Sequence, residues 1–187
     1  MNSVRNLIIL LNIPGLGTKT AISIVDCLSG DISNKSELIE ILDDRKKVSS
    51  RIKSSSLQDA HKAITNADDL IEKCRELSIN IIGYTDTDYP KRLKTIVDPP
   101  PILYSRGNLD CIADKYLSVA LVGTRNPSEW GSRCAYKIGK ELALSDVIVV
   151  SGLALGCDVR AHLGCLEVDS KTIAVLAGGL DEINPIS

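Results

Sequence analysis

Three glycine-containing segments of the chain carry the residue types that bind phosphate groups. Each follows an apolar run typical of a buried strand, and glycine lets backbone N–H groups approach an anion closely. The first segment also contains Arg125, whose planar guanidinium offers five donors. Either the segments hold a phosphate-bearing ligand, or the glycines only make tight turns. The candidate phosphate-binding residues are Gly123, Thr124, Arg125, Ser151, Gly152, Gly178 and Gly179.

The order of the apolar runs predicts how these segments are positioned. Runs at 119–122, 147–150 and 172–176 alternate with helical stretches, which is the pattern of a parallel sheet with right-handed crossovers. The carboxyl ends of parallel strands share one edge, where open α/β sheets bind ligands. We therefore expect all three glycine segments at that edge. We also expect a first strand buried on both faces, followed by a helix capped by Asn126.

The helix expected after Asn126 has two distinct faces. Basic side chains recur at helical spacing on one face and either extend a track for anions or are simply solvated. Apolar side chains recur on another face, which we expect to lie in the core. The basic residues are Arg133, Lys137 and Lys140, and the apolar residues are Trp130, Cys134, Ile138 and Leu142.

Asp158 and His162 lie four residues apart in the next expected helix, after Gly156. They could pair with each other, cap the preceding turn, or act as a general acid and a general base. Structural support of the glycine segment is the favoured role.

Residues 1–77 are predicted to form a separate helical domain. In it, the segment 13–17, Ile-Pro-Gly-Leu-Gly, separates two helical stretches and looks like the helix-hairpin-helix motif. In that motif, glycine N–H groups contact a nucleic-acid phosphate without reading sequence; a copy of the motif can also serve only for packing. The possible DNA contacts here are Gly15, Gly17 and Lys19. The polar segment 43–56 is expected to be solvated, with a basic contact strip as the alternative.

Composition limits the classes of function. The 187 residues carry a formal net charge of −2, so binding to nucleic acid would need a local basic patch. Aromatic residues make up only 3%, which argues against an extended base-stacking surface. The six cysteines include no C-x-x-C pair and are expected to be reduced and mostly core-filling, with no metal bound. Because there is no secretory pattern and no long apolar stretch, a cytoplasmic protein is expected.

Three longer segments resemble the DprA/Smf family of DNA-processing proteins. They are 119–131, 149–158 and 171–181, and the connecting segment 88–108 matches the same family. The resemblance implies an α/β fold, with a Rossmann-like parallel sheet over residues 78–187 and a small helical domain (helix-hairpin-helix or SAM-like) before it. It also implies that Gly123, Thr124 and Arg125 hold the phosphate of single-stranded DNA, with Ser151, Gly152, Gly178 and Gly179 lining the same pocket. The basic helix face adds Arg133 and Lys137 as possible DNA contacts.

The same resemblance implies a biological role. The family protects incoming single strands and helps load the RecA recombinase during natural transformation and recombination, with no established catalysis and no cofactor. The chain ends at Ser187, before the later strands of a family Rossmann domain, so a C-terminally truncated protein is expected. At the place of the family's Tyr-Pro-x-x-Asn segment the chain reads Asn184-Pro185. A homodimer is possible, although the usual dimer surface falls in the missing part.

Two alternatives use the same features differently. The glycine-rich pocket could belong to a nucleotide-binding enzyme or sensor similar to the phosphoribohydrolases. Those enzymes are expected to contain Pro-Gly-Gly-x-Gly-Thr followed by a glutamate, whereas this chain has only Ala177-Gly178-Gly179. The early end of the chain also leaves open a structural or partner-binding remnant.

Overall fold

The computed structural model describes residues 2–46 and 57–181, which fall into two compact units, 1–106 and 107–187. The predicted basic strip beyond Lys46 and the Asn184-Pro185 segment lie outside the described residues. Within the described ranges, no helix is long and apolar enough to span a membrane.

The first unit is mainly helical. Its elements are α1 (Asn2–Leu11), α2 (Thr18–Cys27), α3 (Lys35–Lys46), α4 (Leu57–Glu76), β1 (Asn80–Gly83), the short α5 (Lys91–Lys94) and β2 (Ile102–Ser105). The centre is α1, because Leu7, Ile9 and Leu10 are completely buried and contact the residues of α2 and α4. The buried Asn6 amide satisfies the 30–32 loop, accepting from Ile32 N at 2.9 Å and donating to Gly30 O at 2.8 Å.

A two-stranded antiparallel sheet follows α4 and belongs to the first unit. Its strands β1 and β2 pair antiparallel with each other, with Ile81 opposite Tyr104. Ile81 and Ile102 pack against the helical core, so this two-stranded sheet is part of the same hydrophobic core as the helices. The boundary between the two units therefore falls after Arg106, whereas the sequence predicted that the second domain begins at residue 78.

The second unit is a layer of parallel strands covered by helices. Its elements are a 3₁₀ turn (Leu109–Ile112), β3 (Ser118–Ala120), α6 (Glu129–Leu144), β4 (Ile148–Ser151), α7 (Cys157–Glu167) and β5 (Thr172–Ala174). The strands pair in the order β3–β4–β5, with Val149 opposite both Val119 and Thr172. The predicted α/β, Rossmann-like fold with a parallel sheet after a helical domain is confirmed.

Helices α6 and α7 pack so closely that only small side chains fit between them. A methyl group added at Gly139 would collide with the Ala161 carbonyl oxygen, and one added at Gly164 would collide with the Tyr136 carbonyl oxygen. The buried residues of α6 are accordingly small. They are Ala135, Gly139 and Ala143.

The predicted apolar stripe of α6 is therefore not the core-facing side of the helix. Trp130 is 72% exposed and Ile138 is 46% exposed, while Cys134 is half-buried. Only Leu142 packs against the core of this unit. The prediction was wrong because the helix turns its small residues, rather than its large ones, toward α7.

Strand β3 is an exposed edge strand, and the prediction of a strand buried on both faces was wrong. Val119 is 42% exposed, and Val122, just beyond the strand, is 69% exposed. By contrast β4, which has a neighbour on each side, buries Ile148 and Val149. The residue types suit a strand, but burial of both faces requires elements packed over β3, and among the described residues α6 and α7 pack mainly over β4.

A charged cluster holds the amino edge of this sheet. Lys171, just before β5, donates to the Tyr116 hydroxyl at 2.6 Å and to the Asp110 carboxylate at 3.2 Å. Lys115 contacts the same carboxylate at 2.8 Å. These lysine contacts lower the pKa of Asp110 to about 2. The segment before β3 is thereby fastened to the start of β5, at the edge opposite the glycine segments.

Candidate phosphate-binding site

The glycine segments follow the carboxyl ends of three parallel strands, as the strand pattern predicts. The ladder continues past each strand, since Leu121 N donates to Val150 O at 3.0 Å and Val175 N donates to Ser151 O at 2.8 Å. All three segments therefore begin at one edge of the sheet.

The Asp158 carboxylate joins two of these segments. Its Oδ1 accepts from Gly123 N at 3.2 Å and its Oδ2 accepts from Gly152 N at 3.1 Å. Asp158 is only 6% exposed. The favoured interpretation of Asp158 as structural support of the glycine segment is confirmed. Both amides already have an anionic acceptor inside the protein, so they form the frame of the site.

Ser151 also belongs to this frame. The residue is 3% exposed, and its hydroxyl donates to Leu121 O at 2.6 Å, which holds the end of β3 against β4. The turn that follows contains Leu153 with φ of 57°, a left-handed backbone conformation that is strained for a leucine. A strained turn of this kind persists only where the surrounding contacts hold it.

The Gly123–Arg125 turn rests on the amino end of α7. Cys157 N donates to Thr124 O at 3.1 Å, and a methyl group at Gly156 would collide with the Thr124 carbonyl oxygen. Gly156 also has φ of 93°, which favours glycine. The positive end of the α7 dipole is thus directed at a backbone carbonyl. Gly156 is a site-forming residue that the sequence-based prediction missed, whereas the family resemblance already placed Cys157 near the pocket.

The outward groups of the rim are those of Thr124, Arg125, Gly178 and Gly179, all of which are exposed. Thr124 Oγ1 accepts from Asn126 N at 3.2 Å, which fixes the turn. Within the described part of the chain, the Arg125 guanidinium forms no hydrogen bond or ion pair. A side chain at Gly178 would meet nothing within 4 Å, so that backbone is open to a ligand. An unpaired guanidinium on a fixed turn can bind an anion without first breaking an internal contact.

The next helix begins differently from the prediction. Its cap is Ser128 rather than Asn126, because Ser128 immediately precedes α6 and its Oγ accepts from Gly131 N at 3.1 Å. On the predicted basic face, Arg133 pairs with Glu129 at 3.3 Å. Lys140, on the same face, binds the Glu167 carboxylate at 2.9 Å, which offsets its positive charge. Lys137 is exposed. Arg133 and Lys137 remain predicted DNA contacts.

His162 is 4% exposed and links α7 to the sheet. Thr172 Oγ1 donates to Val149 O at 2.8 Å, so it accepts from His162 Nδ1 at 2.8 Å, which leaves Nε2 unprotonated. Nε2 is buried and has no hydrogen-bond partner in the part of the chain that the structure describes. Burial lowers the pKa of His162, and the Asp158 charge opposes this in part. A neutral imidazole that holds two strands and a helix together is a structural group here.

Lowering the pH from about 7.5 to about 5.5 is expected to destabilise the fold through His162. The unfolded chain binds a proton at the ordinary pKa near 6.5, while the folded protein resists protonation. The contribution of neutral His162 to the folding stability is therefore complete above pH 6.5 and decreases as the pH falls below that value. Urea unfolding across this range should show a smaller pH dependence for His162→Gln than for the wild type. His61→Gln, at the exposed second histidine, is the control, and equal pH dependence of all three proteins would contradict the expectation.

In the first unit, the predicted hairpin motif joins α1 to α2. Gly15 has φ of 83°, and Leu16 is buried beneath the turn. Gly17 precedes α2 with no side-chain cap, and Gly15, Gly17 and Lys19 are all exposed. The geometry permits a close backbone contact at this turn, and these three residues remain predicted DNA contacts.

The thiol groups offer little metal chemistry. None of the six cysteines forms a disulfide, and only Cys74 and Cys165 are buried, so core filling describes these two alone. Among the described residues, no group of three or more His, Cys, Asp or Glu side chains is arranged to hold a metal ion.

Comparison with known proteins assigns the family. The family model for DNA recombination-mediator protein A matches residues 80–187, more than half of the chain. The chain belongs to this family. The recombination-mediator match covers β1, β2 and the whole second unit, and so includes all three glycine segments.

Curated relatives in the recombination-mediator family carry DNA-processing names. Protein Smf of Synechocystis sp. is 43% identical over 117 residues, which is 62% of this chain and 29% of that protein. The DNA processing protein DprA of Bacillus subtilis is 37% identical over 111 residues, which is 59% of this chain and 37% of that protein. The chain therefore matches only a minor part of the length of either relative.

Two solved structures of family members are similar to the chain. DNA processing protein A from Streptococcus pneumoniae superposes with a TM-score of 0.64 and 26% identity, covering 99% of this chain and 58% of that one. DNA processing protein A from Helicobacter pylori gives a TM-score of 0.50 and 32% identity, covering 58% of this chain and 46% of that one. The Helicobacter protein is described as having a single-stranded DNA binding mode.

Proposed function

We propose that this member of the recombination-mediator family binds single-stranded DNA at the carboxyl edge of its parallel sheet. The observation that carries the proposal is the exposed, unpaired guanidinium of Arg125 on a turn held by Asp158, Cys157 and Asn126. Thr124, Gly178 and Gly179 lie at the same edge and complete the outward rim, while Gly123, Ser151 and Gly152 hold its shape.

The family and its relatives support the ligand class. The family model describes a DNA recombination mediator, and the related Helicobacter protein is described by its binding to single-stranded DNA. By extension, we propose that the chain protects incoming strands and helps load RecA onto them during natural transformation and recombination. We further propose that it works in the cytoplasm, without breaking or making covalent bonds, and in some contexts as a homodimer.

Replacing Arg125 with alanine is expected to weaken binding to single-stranded DNA by about 10- to 100-fold, as expected for loss of a hydrogen-bonded charge contact to phosphate. The loss should be similar for all base sequences, and the salt dependence should decrease by about one phosphate contact. Fluorescence anisotropy with a labelled single-stranded oligonucleotide at several salt concentrations measures both quantities.

The control for this experiment is Lys62→Ala, which removes one exposed positive charge from α4. It should change the affinity far less than Arg125→Ala. Competition by duplex DNA and by mononucleotides separates the single-strand function from the nucleotide-binding enzyme alternative. Tighter binding of a mononucleotide, together with release of its free base, would replace the proposal by that alternative.

A further inference from the structure

The chain's one tryptophan is placed where a binding residue would be, rather than in the core. Trp130 is 72% exposed, although tryptophan side chains are highly buried on average. The close contact between α6 and α7 admits only small residues and so leaves the indole outside. Within the described residues its ring N–H has no hydrogen-bond partner.

The position of Trp130 relative to Arg125 is fixed by the turn between them. Asn126 N donates to Thr124 Oγ1 at 3.2 Å, and Ser128 Oγ caps the first turn of α6 at 3.1 Å. The indole therefore stands in the first turn of a capped helix, on the same connection that carries the free guanidinium. A cation and a flat aromatic surface on one short connection match the two parts of a nucleotide, the phosphate and the base.

We propose that Trp130 stacks on a base of the single strand whose phosphate is bound by Arg125, an inference that rests on the function proposed above. Stacking on one aromatic ring tolerates any base, because every base has a π-face. It also excludes a duplex, in which the bases are already stacked and paired. A single indole suffices for this role, so the low aromatic content of the chain does not oppose it.

The nearest competing occupant is a protein surface. The exposed apolar residues of α6 continue from Trp130 to Ile138, and a protein partner could cover both. Two observations favour the base. The guanidinium on the same turn has no acidic partner among residues 2–46 and 57–181, and the charges along α6 are mixed, with Arg133 paired to Glu129.

The lone tryptophan makes its own fluorescence the probe. Titration with a single-stranded dT oligonucleotide should quench the emission of the 187-residue chain, and an abasic oligonucleotide of equal length should quench it far less. In anisotropy measurements, Trp130→Ala should weaken binding to the dT oligonucleotide by about 5- to 100-fold, the range for loss of one stacked base. Trp130→Phe should retain most of the affinity, because a phenyl ring also stacks.

Salt dependence separates this inference from the function on which it rests. Trp130→Ala should leave the slope of affinity against salt unchanged, whereas Arg125→Ala should reduce it by about one contact. Equal quenching by the abasic strand, or wild-type affinity of Trp130→Ala while Arg125→Ala weakens binding, would overturn the stacking role alone. Wild-type affinity of both variants would overturn the DNA site itself. A change in oligomeric state of Trp130→Ala with unchanged DNA affinity would assign the residue to a protein interface.

Discussion

The Asp158→Ala variant is expected to lose about 1 to 3 kcal/mol of folding free energy, since it leaves two partly buried donors without their shared acceptor. The two donors are Gly123 N and Gly152 N, which share the one carboxylate. Water can replace the carboxylate only in part, because both hydrogen bonds are partly buried and Asp158 itself is 6% exposed. A loss of this size is a large part of the total stability of a small domain.

Hydrogen exchange locates the effect as well as measuring it. The amides of Gly123 and Gly152 should lose protection in Asp158→Ala, while the helices of the first unit keep theirs. Asp158→Asn retains one acceptor oxygen, so the protection of these two amides should be intermediate between that in Asp158→Ala and that in the wild type. The control is Glu141→Ala, which removes a carboxylate from the exposed side of α6. Unchanged protection of both glycine amides would contradict the role assigned to Asp158.

DNA binding by the same variant distinguishes a frame from a ligand set. If the two glycine amides only hold the turns, removing Asp158 should weaken binding, because Arg125 loses its fixed position. If the amides instead contact phosphate, removing the competing carboxylate should strengthen binding. We expect the weaker binding, provided that urea unfolding shows the variant to be folded under the assay conditions.

Local sequence patterns were sufficient to predict the elements and the edge at which the glycine segments meet. Each apolar run followed by glycine became a strand or its continuation, and the alternation with helices required a parallel sheet. The spacing of Asp158 four residues before His162 also indicated one helix and a supporting role. These features depend on residues that are neighbours in the chain or on a single helix.

Burial could not be predicted in the same way, because it depends on which neighbour a surface meets. The residue types of β3 suit an interior strand, yet the strand has a partner on one side only. In α6, the helical period produces two stripes, one of large apolar residues and one of small residues. The choice between them depends on Gly139 and Gly164, whose close approach becomes evident only when the two helices are considered together.

The internal partners of the glycine amides were also beyond the sequence. Glycine next to a strand end suggests an open anion cradle, and the same residues can equally serve an acceptor within the protein. Asp158 lies 35 residues from Gly123, so only the folded chain identifies it as that acceptor. We consequently expect Arg125 to carry the charge of the outward rim, while Gly123, Ser151 and Gly152 support it.

The Gly164→Ala variant is expected to destabilise the second unit by about 1 to 3 kcal/mol, the usual cost of inserting a methyl group where there is no space. The added carbon would collide with the Tyr136 carbonyl oxygen and would lie 2.9 Å from the Lys140 backbone nitrogen. Both contacts are with backbone atoms of α6, so the helices must move apart. The free-energy cost of that movement exceeds the gain of about 1 kcal/mol that replacing glycine with alanine normally brings to a helix.

The matched control lies in the partner helix. Gly131→Ala places the same methyl group in α6, where its nearest neighbours are Ser128 Oγ at 3.4 Å and Pro127 Cβ at 3.6 Å. These are ordinary contacts, so this substitution should leave the stability unchanged or raise it by up to about 1 kcal/mol. Urea unfolding of the two variants compares them directly. Opposite signs would show that the distance between the helices, rather than helix propensity, determines the residue at position 164, and an equal response would refute this account of the α6–α7 contact.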